Sequence, residues 1–251
     1  MIIGTGLTKA FTGEPLFEDI DFKIGNNRKI ALVGKNGCGK STLIKVVVGE
    51  VGADAGHITT DGDKIGYIPQ EFTYPNELVG EYLEKKLDRS WDFYKVEQLL
   101  AELDFANFDL YQELSTLSEG QKMKIKLLEV LLENPDILLI DEPTNHLDIE
   151  GIMWFEKYLG QLAKTVLMIS HDREFLNNTV DEIWELENKK LLTFVGNYDY
   201  YKEEKLKLIG KWDAEYTRFI KKKAQLEKLL EHARVHKISR RGGTAQVKSR
   251  I

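Results

Sequence analysis

The chain has 251 residues, 42% of them hydrophobic and 30% charged, with a formal net charge of −6, which allows one sizeable core with an appendage. It contains no run of 18 apolar residues and no signal-peptide pattern at Met1-Ile2-Ile3-Gly4, so a membrane-spanning helix is excluded and a soluble, cytoplasmic protein is expected. Cys38 is the sole cysteine, which excludes an intramolecular disulfide and agrees with a reducing compartment.

The first elements are short. Leu7 to Phe11 and Leu16 to Ile24 are partly apolar runs around the turn Thr12-Gly13-Glu14-Pro15, a hairpin-like opening. Phe11 precedes that turn, where its ring either stacks on a nucleotide base or joins the core. Lys29 to Val33 reads as a buried strand, and Thr42 to Val48 as a mostly apolar helix. Between them Gly34, Gly39, Lys40 and Ser41 stand in the G-x-x-x-x-G-K-[ST] spacing, in the strand, loop, helix order that a phosphate-binding loop needs. Gly34, Gly37 and Gly39 let the backbone turn tightly and bring its N–H groups close to phosphate oxygens. In that chemistry Lys40 reaches the β- and γ-phosphates, Ser41 ligates Mg²⁺, and the start of the helix adds its partial positive charge.

Gly56 to Thr60 and Lys64 to Ile68 read as strands around the turn Asp61-Gly62-Asp63, with Pro69-Gln70-Glu71 directly after. Residues 77–104 carry helical spacing in Leu78, Tyr82, Leu83, Leu87, Trp91, Tyr94, Val96, Leu99, Leu100 and Leu103. That predicts a small helical subdomain with its aromatics in the core. Leu117 to Gln121 opens another helix, which Ser118 caps and Met123 to Leu132 supply with a buried stripe. Asp136 to Ile140 is a nearly continuous apolar run that delivers Asp141 and Glu142 at its carboxyl end, where parallel α/β sheets place their chemistry. Thr165 to Ser170 is a second such strand, ending at His171. Glu182 to Leu186 and Lys190 to Val195 predict a hairpin around Asn188-Lys189.

From Tyr198 onward the character changes: 15 Lys/Arg face 7 Asp/Glu there, whereas residues 1–197 carry 20 against 34. A basic tail on an acidic body points to a polyanion partner for the tail, or to the solvated face of a coiled coil. Ile209, Trp212, Tyr216, Phe219, Lys223, Leu226, Leu230 and Ala233 step by three and four, which predicts a long helix packed on a partner helix and ended by Arg240-Arg241-Gly242-Gly243.

Gly34 to Thr42, Gln70, Leu117 to Gln121, Asp141-Glu142 and His171, in that order, together resemble the nucleotide-binding domain of ATP-binding cassette proteins. Asp141-Glu142-Pro143-Thr144-Asn145-His146-Leu147-Asp148, followed by Ser170-His171-Asp172-Arg173-Glu174-Phe175-Leu176, looks most like the ABC-F group. Its members are soluble proteins with two cassettes joined by a long charged helical linker, and many act on ribosomes. The resemblance implies an α/β fold: a P-loop NTPase cassette over 1–196 with a β-rich amino-terminal subdomain and a helical subdomain at about 72–134. A basic, coiled-coil-like helical linker over 197–251 follows.

The resemblance also implies ATP and Mg²⁺, held by the loop Gly34, Asn36, Gly37, Cys38, Gly39, Lys40, Ser41 and Thr42, with Ser41, Gln70 and Asp141 organising the metal and water. Glu142 is implied as general base, His171 as the γ-phosphate contact, and Phe11 as the ring on adenine. Ser118 and Gly120 resemble the signature residues that complete the ATP site of the opposing cassette, and Asp148 belongs to the segment that crosses between cassettes. Cys38 is expected to be a tolerated small residue, or a thiol made reactive by the helix end.

The implied partners are a second cassette, in cis or as a homodimer, and ribosomal RNA or tRNA reached through Arg234, Lys237, Arg240, Arg241, Lys248 and Arg250, without membrane insertion. With one cassette present, the chain is expected to be part of a longer protein that works in translation or antibiotic resistance. Two other readings stay open. One is the ATPase subunit of a membrane transporter, against which the tail argues. The other is a chromosome or repair ATPase, whose coil is expected between the two nucleotide motifs rather than after both.

Overall fold

The computed structural model describes residues 1–11, 13–87, 89–105, 108–145 and 147–247, with backbone alone at 90 and over 230–247. Thr12, His146, Lys248 and Arg250, named above, lie outside the described residues, as do the side chains of Leu230, Ala233, Arg234, Lys237, Arg240 and Arg241. The chain divides into two compact units, Met1–Tyr201 and Lys202–Ile251.

The elements run β1 (Ile2–Ala10), β2 (Pro15–Ile24), β3 (Lys29–Val33), α1 (Lys40–Val48), β4 (Ala55–Thr60), β5 (Ile65–Ile68), α2 (Val79–Glu84), α3 (Tyr94–Glu102) and α4 (Glu119–Leu132). After them come β6 (Ile137–Asp141), α5 (Ile149–Gln161), β7 (Thr165–Ile169), α6 (Arg173–Thr179), β8 (Glu182–Glu187), β9 (Lys190–Val195) and α7 (Tyr198–Val247). Two sheets result. A three-stranded antiparallel sheet has the order β2-β1-β4, and a six-stranded sheet has the order β5-β6-β7-β3-β8-β9, parallel except for the β8–β9 hairpin. The mixed α/β P-loop fold implied by the resemblance is therefore present, with a long final helix.

Burial explains the layout. Every residue of β3, β6 and β7 is buried, as continuous apolar strands covered on both faces must be. Leu43, Ile44, Val46 and Val47 of α1 pack between Ile2, Leu7, Phe17, Ile20, Phe22 and Ile24 of the small sheet and Leu32, Leu139, Leu167, Ile169 and Trp184 of the large one. α1 is thus held from two sides, and its amino end emerges at the carboxyl edge of the parallel strands.

Three sequence expectations are corrected. β4 and β5 do not pair with each other: β4 pairs with β1 and β5 with β6, because β4 is a largely exposed edge strand while Gly66 and Ile68 of β5 are buried. Asp61-Gly62-Asp63 therefore crosses between sheets. The helical run over 77–104 is broken into α2, a 3₁₀ turn at Ser90–Phe93 and α3. Val79, Leu83, Val96, Leu100 and Leu103 form its buried side, whereas Trp91 and Tyr94 are 72% and 59% exposed, so these two aromatics are not core; the break re-phases the apolar positions.

The third correction concerns α7. It does not end at Arg240–Gly243 but runs to Val247, since glycine weakens a helix by about 1 kcal/mol and stops it only with a left-handed turn or proline. Along its stripe Trp212, Tyr216, Phe219 and Leu226 are exposed. No described helix is long and apolar enough to cross a membrane.

Trp184 is 1% exposed, and its ring lies 5.3 Å from that of Phe22, stitching the two sheets together. Trp184→Ala is expected to cost about 3–5 kcal/mol, read as a lower denaturation midpoint at unchanged slope. A loss below about 1 kcal/mol would contradict the core assignment.

Candidate functional site

The loop between β3 and α1 is shaped by glycine. Gly34, Gly37 and Gly39 have φ of 153°, 79° and 107°, values that side chains with a Cβ rarely adopt. A Cβ on Gly34 would stand 2.5 Å from the Leu186 carbonyl oxygen, and one on Gly39 3.0 Å from Leu16. Lys40 is buried, and its Nζ donates to the carbonyls of Gly34 at 3.0 Å and Lys35 at 3.3 Å, so the ammonium lies folded across the loop. α1 has no side-chain cap, with Gly39 at the cap position. Its first N–H groups have no intrahelical acceptor and are free to take an anion.

The opposite wall comes from the ends of β6 and β7. Asp141 and Glu142 are 3% and 7% exposed. Glu142 has φ 53°, a strained value for a residue with a side chain; its N–H donates to Ile169 at 2.9 Å, which ties the turn to β7. His171 Nε2 stands 3.1 Å from Glu142 Oε1. His171 is set by its neighbours: the Ser170 hydroxyl pairs with that of Thr144 at 3.1 Å and accepts from the Asp172 N–H at 3.1 Å. Asp172 in turn caps α6.

A cavity of about 400 Å³ is lined by Leu16, Asn36, Gly37, Gly39, Lys40, Ser41, Thr42, Gln70, Glu142, Asn145 and His171. Gln70 and Glu142 also line an adjoining space with Asp141. The site residues read from the sequence therefore fall into two groups and two outliers. The loop, Gln70, the carboxylates and His171 come together. Ser118 and Gly120 line a separate cavity with Lys124, Asp148 and Trp154, where Ser118 completes a capping box with Gln121. Phe11 is 64% exposed beneath the Lys9 ammonium at 5.3 Å and does not line the phosphate-loop cavity. Cys38 is half-buried, packs against the core and is not among the residues lining the cavity, and burial pushes its thiol pKa up, the opposite of what the reactive-thiol expectation needs.

Leu16 and Asn145 are lining residues that sequence reasoning missed. Leu16 is an ordinary strand residue brought over the loop by β2, and Asn145 carried no signal beyond its place in the Asp141–Asp148 motif.

The electrostatics fit a cation and a phosphate chain. Burial raises the pKa of Asp141, against a hydrogen bond from Ser41 and the charges of Lys45 and Lys40. Burial likewise raises that of Glu142, with His171 opposing and Asp141 adding to the rise. Asp141 Oδ1 and Glu142 Oε2 are buried without a hydrogen-bond partner, acceptors that a hydrated divalent cation satisfies. Among the described residues no three His, Cys, Asp or Glu side chains converge to hold a metal by themselves. A Mg²⁺ here would therefore take its remaining ligands from phosphate and water.

A family model described as ABC transporter matches residues 17–145, and the chain belongs to that family of ATP-binding cassettes. Its similar relatives are ABC-F-type ATP-binding proteins. The probable ATP-binding protein YbiT of Escherichia coli O157:H7 is 35% identical over 204 residues, covering 80% of this chain and 38% of that protein. The ATP-binding protein Uup of Escherichia coli K12 is 34% identical, covering 85% and 40%. ABC transporter F family member 2 of Arabidopsis thaliana is 28% identical, covering 88% and 39%. The chain thus spans about two fifths of the length of these relatives. A solved ATP binding subunit of ABC transporter superposes with a TM-score of 0.69 at 23% identity, over 78% of this chain and 90% of that one, a likeness of fold.

Because Asp141 and Glu142 are harder to ionise in the fold than in the unfolded chain, their charge destabilises the empty site. That penalty is absent below the ordinary carboxylate pKa of about 4 and complete above the raised folded values. Asp141→Asn and Glu142→Gln are expected to raise the melting temperature of nucleotide-free protein at neutral pH, with the gain shrinking as pH falls toward 4. A pH-independent change would contradict the burial argument.

Proposed function

We propose that the chain binds and hydrolyses ATP as one half of a two-cassette machine, and that this machine works on the ribosome. The observation that carries the first part is the convergence of Lys40, Ser41, Gln70, Glu142 and His171 on one cavity, while Ser118 and Gly120 line another. A cassette so divided binds a nucleotide on one face and offers its second cavity to the nucleotide of a partner.

Phosphoryl transfer needs charge neutralisation and in-line placement more than covalent chemistry. The loop amides and Lys40 hold the β- and γ-phosphates. Mg²⁺ bound by Ser41, Gln70 and Asp141 would neutralise phosphate charge. Glu142, a carboxylate with raised proton affinity, orients the attacking water and accepts its proton. His171, touching Glu142, reaches the γ-phosphate and keeps that carboxylate in place.

The ribosomal part is supported by the basic excess from Tyr198 onward and by the ABC-F type of the relatives. Backbone phosphates would supply the attraction, so binding weakens steeply with salt.

Two outcomes are expected. Monomeric protein hydrolyses ATP slowly, and turnover per chain rises with protein concentration or on adding a second cassette; brisk, concentration-independent turnover refutes the divided site. The Glu142→Gln protein, held in its ATP state, co-sediments with ribosomes in ATP at low salt and less so at high salt. No association at low salt rules out the ribosomal role while leaving the ATPase reading standing.

A further inference from the structure

One buried acid lies outside the chemistry described so far. Glu185 on β8 is 4% exposed, an expensive place for a carboxylate. Its Oε1 accepts a hydrogen bond from the hydroxyl of Tyr201, in the first turn of α7, at 2.7 Å. Tyr201 is 5% exposed; its ring stands edge-on to Phe194 at 5.1 Å and tilted against Tyr198 at 5.5 Å. Burial and the neighbouring carboxylate push the Tyr201 pKa far up, which keeps the phenol a donor.

The position of this pair relative to the phosphate loop is what matters. Glu185 stands opposite Val33 in the β3–β8 ladder, the residue immediately before Gly34. The next residue along β8, Leu186, presses its carbonyl on Gly34, so closely that a Cβ there would lie 2.5 Å away. The same Gly34 supplies the carbonyl that Lys40 grips at 3.0 Å. An unbroken path therefore runs from the Tyr201 hydroxyl through Glu185 and Leu186 to Gly34 and Lys40. Phenylalanine at 201 over an apolar residue at 185 would fill the same space without burying a charge.

We infer that Tyr201 and Glu185 are positioning residues, a latch through which the first turn of α7 holds β8 against Gly34 and so sets the phosphate loop in its anion-binding shape. Displacing that turn loosens the loop and lowers nucleotide affinity; equally, filling the loop tightens the latch, since coupling is reciprocal. The inference rests on the ATP-binding reading for its consequence, not for its geometry.

A second tie on the same turn supplies the control. Asn177 of α6 donates to the Asp199 carboxylate at 3.0 Å and accepts from the Asp199 N–H at 3.1 Å, at an exposed place, and so ties the same turn to α6 instead of β8. The test compares Tyr201→Phe, Glu185→Gln and Asn177→Ala with wild type by two readouts: hydrogen exchange of amides 34–39 in nucleotide-free protein, and equilibrium affinity for ATP with magnesium. Tyr201→Phe is expected to speed loop exchange and weaken ATP binding about fivefold or more. Glu185→Gln, whose amide oxygen still accepts the phenol, keeps both near wild type, and Asn177→Ala changes neither.

Loop exchange unchanged in Tyr201→Phe, or changed equally by Asn177→Ala, overturns the latch and leaves the pair as a plain structural anchor. If wild type itself fails to bind ATP, the nucleotide reading is what falls, and loop exchange alone then decides the latch.

Discussion

The amino end of α1 governs the architecture around it. A helix begins with N–H groups that its own turns cannot satisfy. Here the helix is packed between two sheets and capped by a glycine with no side chain to offer, and its first residues, Lys40, Ser41 and Thr42, line the cavity. Such a helix start is suited to an anion. The positive φ values of Gly34, Gly37 and Gly39 add further amides to the same hollow, and the Lys40 ammonium, folded back over two loop carbonyls, puts a full positive charge at its edge.

What faces that donor-rich hollow is its electrical complement. β6 and β7 end in Asp141, Glu142 and His171, and the parallel pairing Asp141↔Ile169 beside Leu32↔Ile169 fixes them at the level of the loop. Glu142 sits in a strained backbone conformation, and both carboxylates are buried with an unpartnered oxygen each. A fold selected for stability alone would not keep these features; a site that binds a metal and a polyphosphate recovers their cost on binding. Ser118 and Gly120 line another cavity, apart from the loop.

Much of this was legible in the sequence because it is written locally. The G-x-x-x-x-G-K-S spacing, the apolar runs that stop at Asp141 and Ser170, and the Ser118 helix cap each depend on neighbours a few residues apart. What was not legible depends on contacts distant in sequence. That β4 leaves for the small sheet, that Leu16 roofs the cavity and that Tyr201 meets Glu185 are products of tertiary packing, invisible to periodicity. Trp91 and Tyr94 were misplaced because helical spacing tells which residues share a face only while the helix is unbroken, and a 3₁₀ turn intervenes. The glycine pair at 242–243 failed to stop α7 because helix ends need a specific turn, not merely a poor former.

Whether a single ATP is gripped at the start of α1 is decided by titration calorimetry of the purified chain with ATP and magnesium, for wild type and for Lys40→Ala shown to be folded by circular dichroism. Wild type is expected to bind one nucleotide saturably and Lys40→Ala to bind about tenfold or more weakly, since a charge-assisted bond to phosphate is removed. No binding by wild type, or equal affinity in the two proteins, refutes the grip at α1.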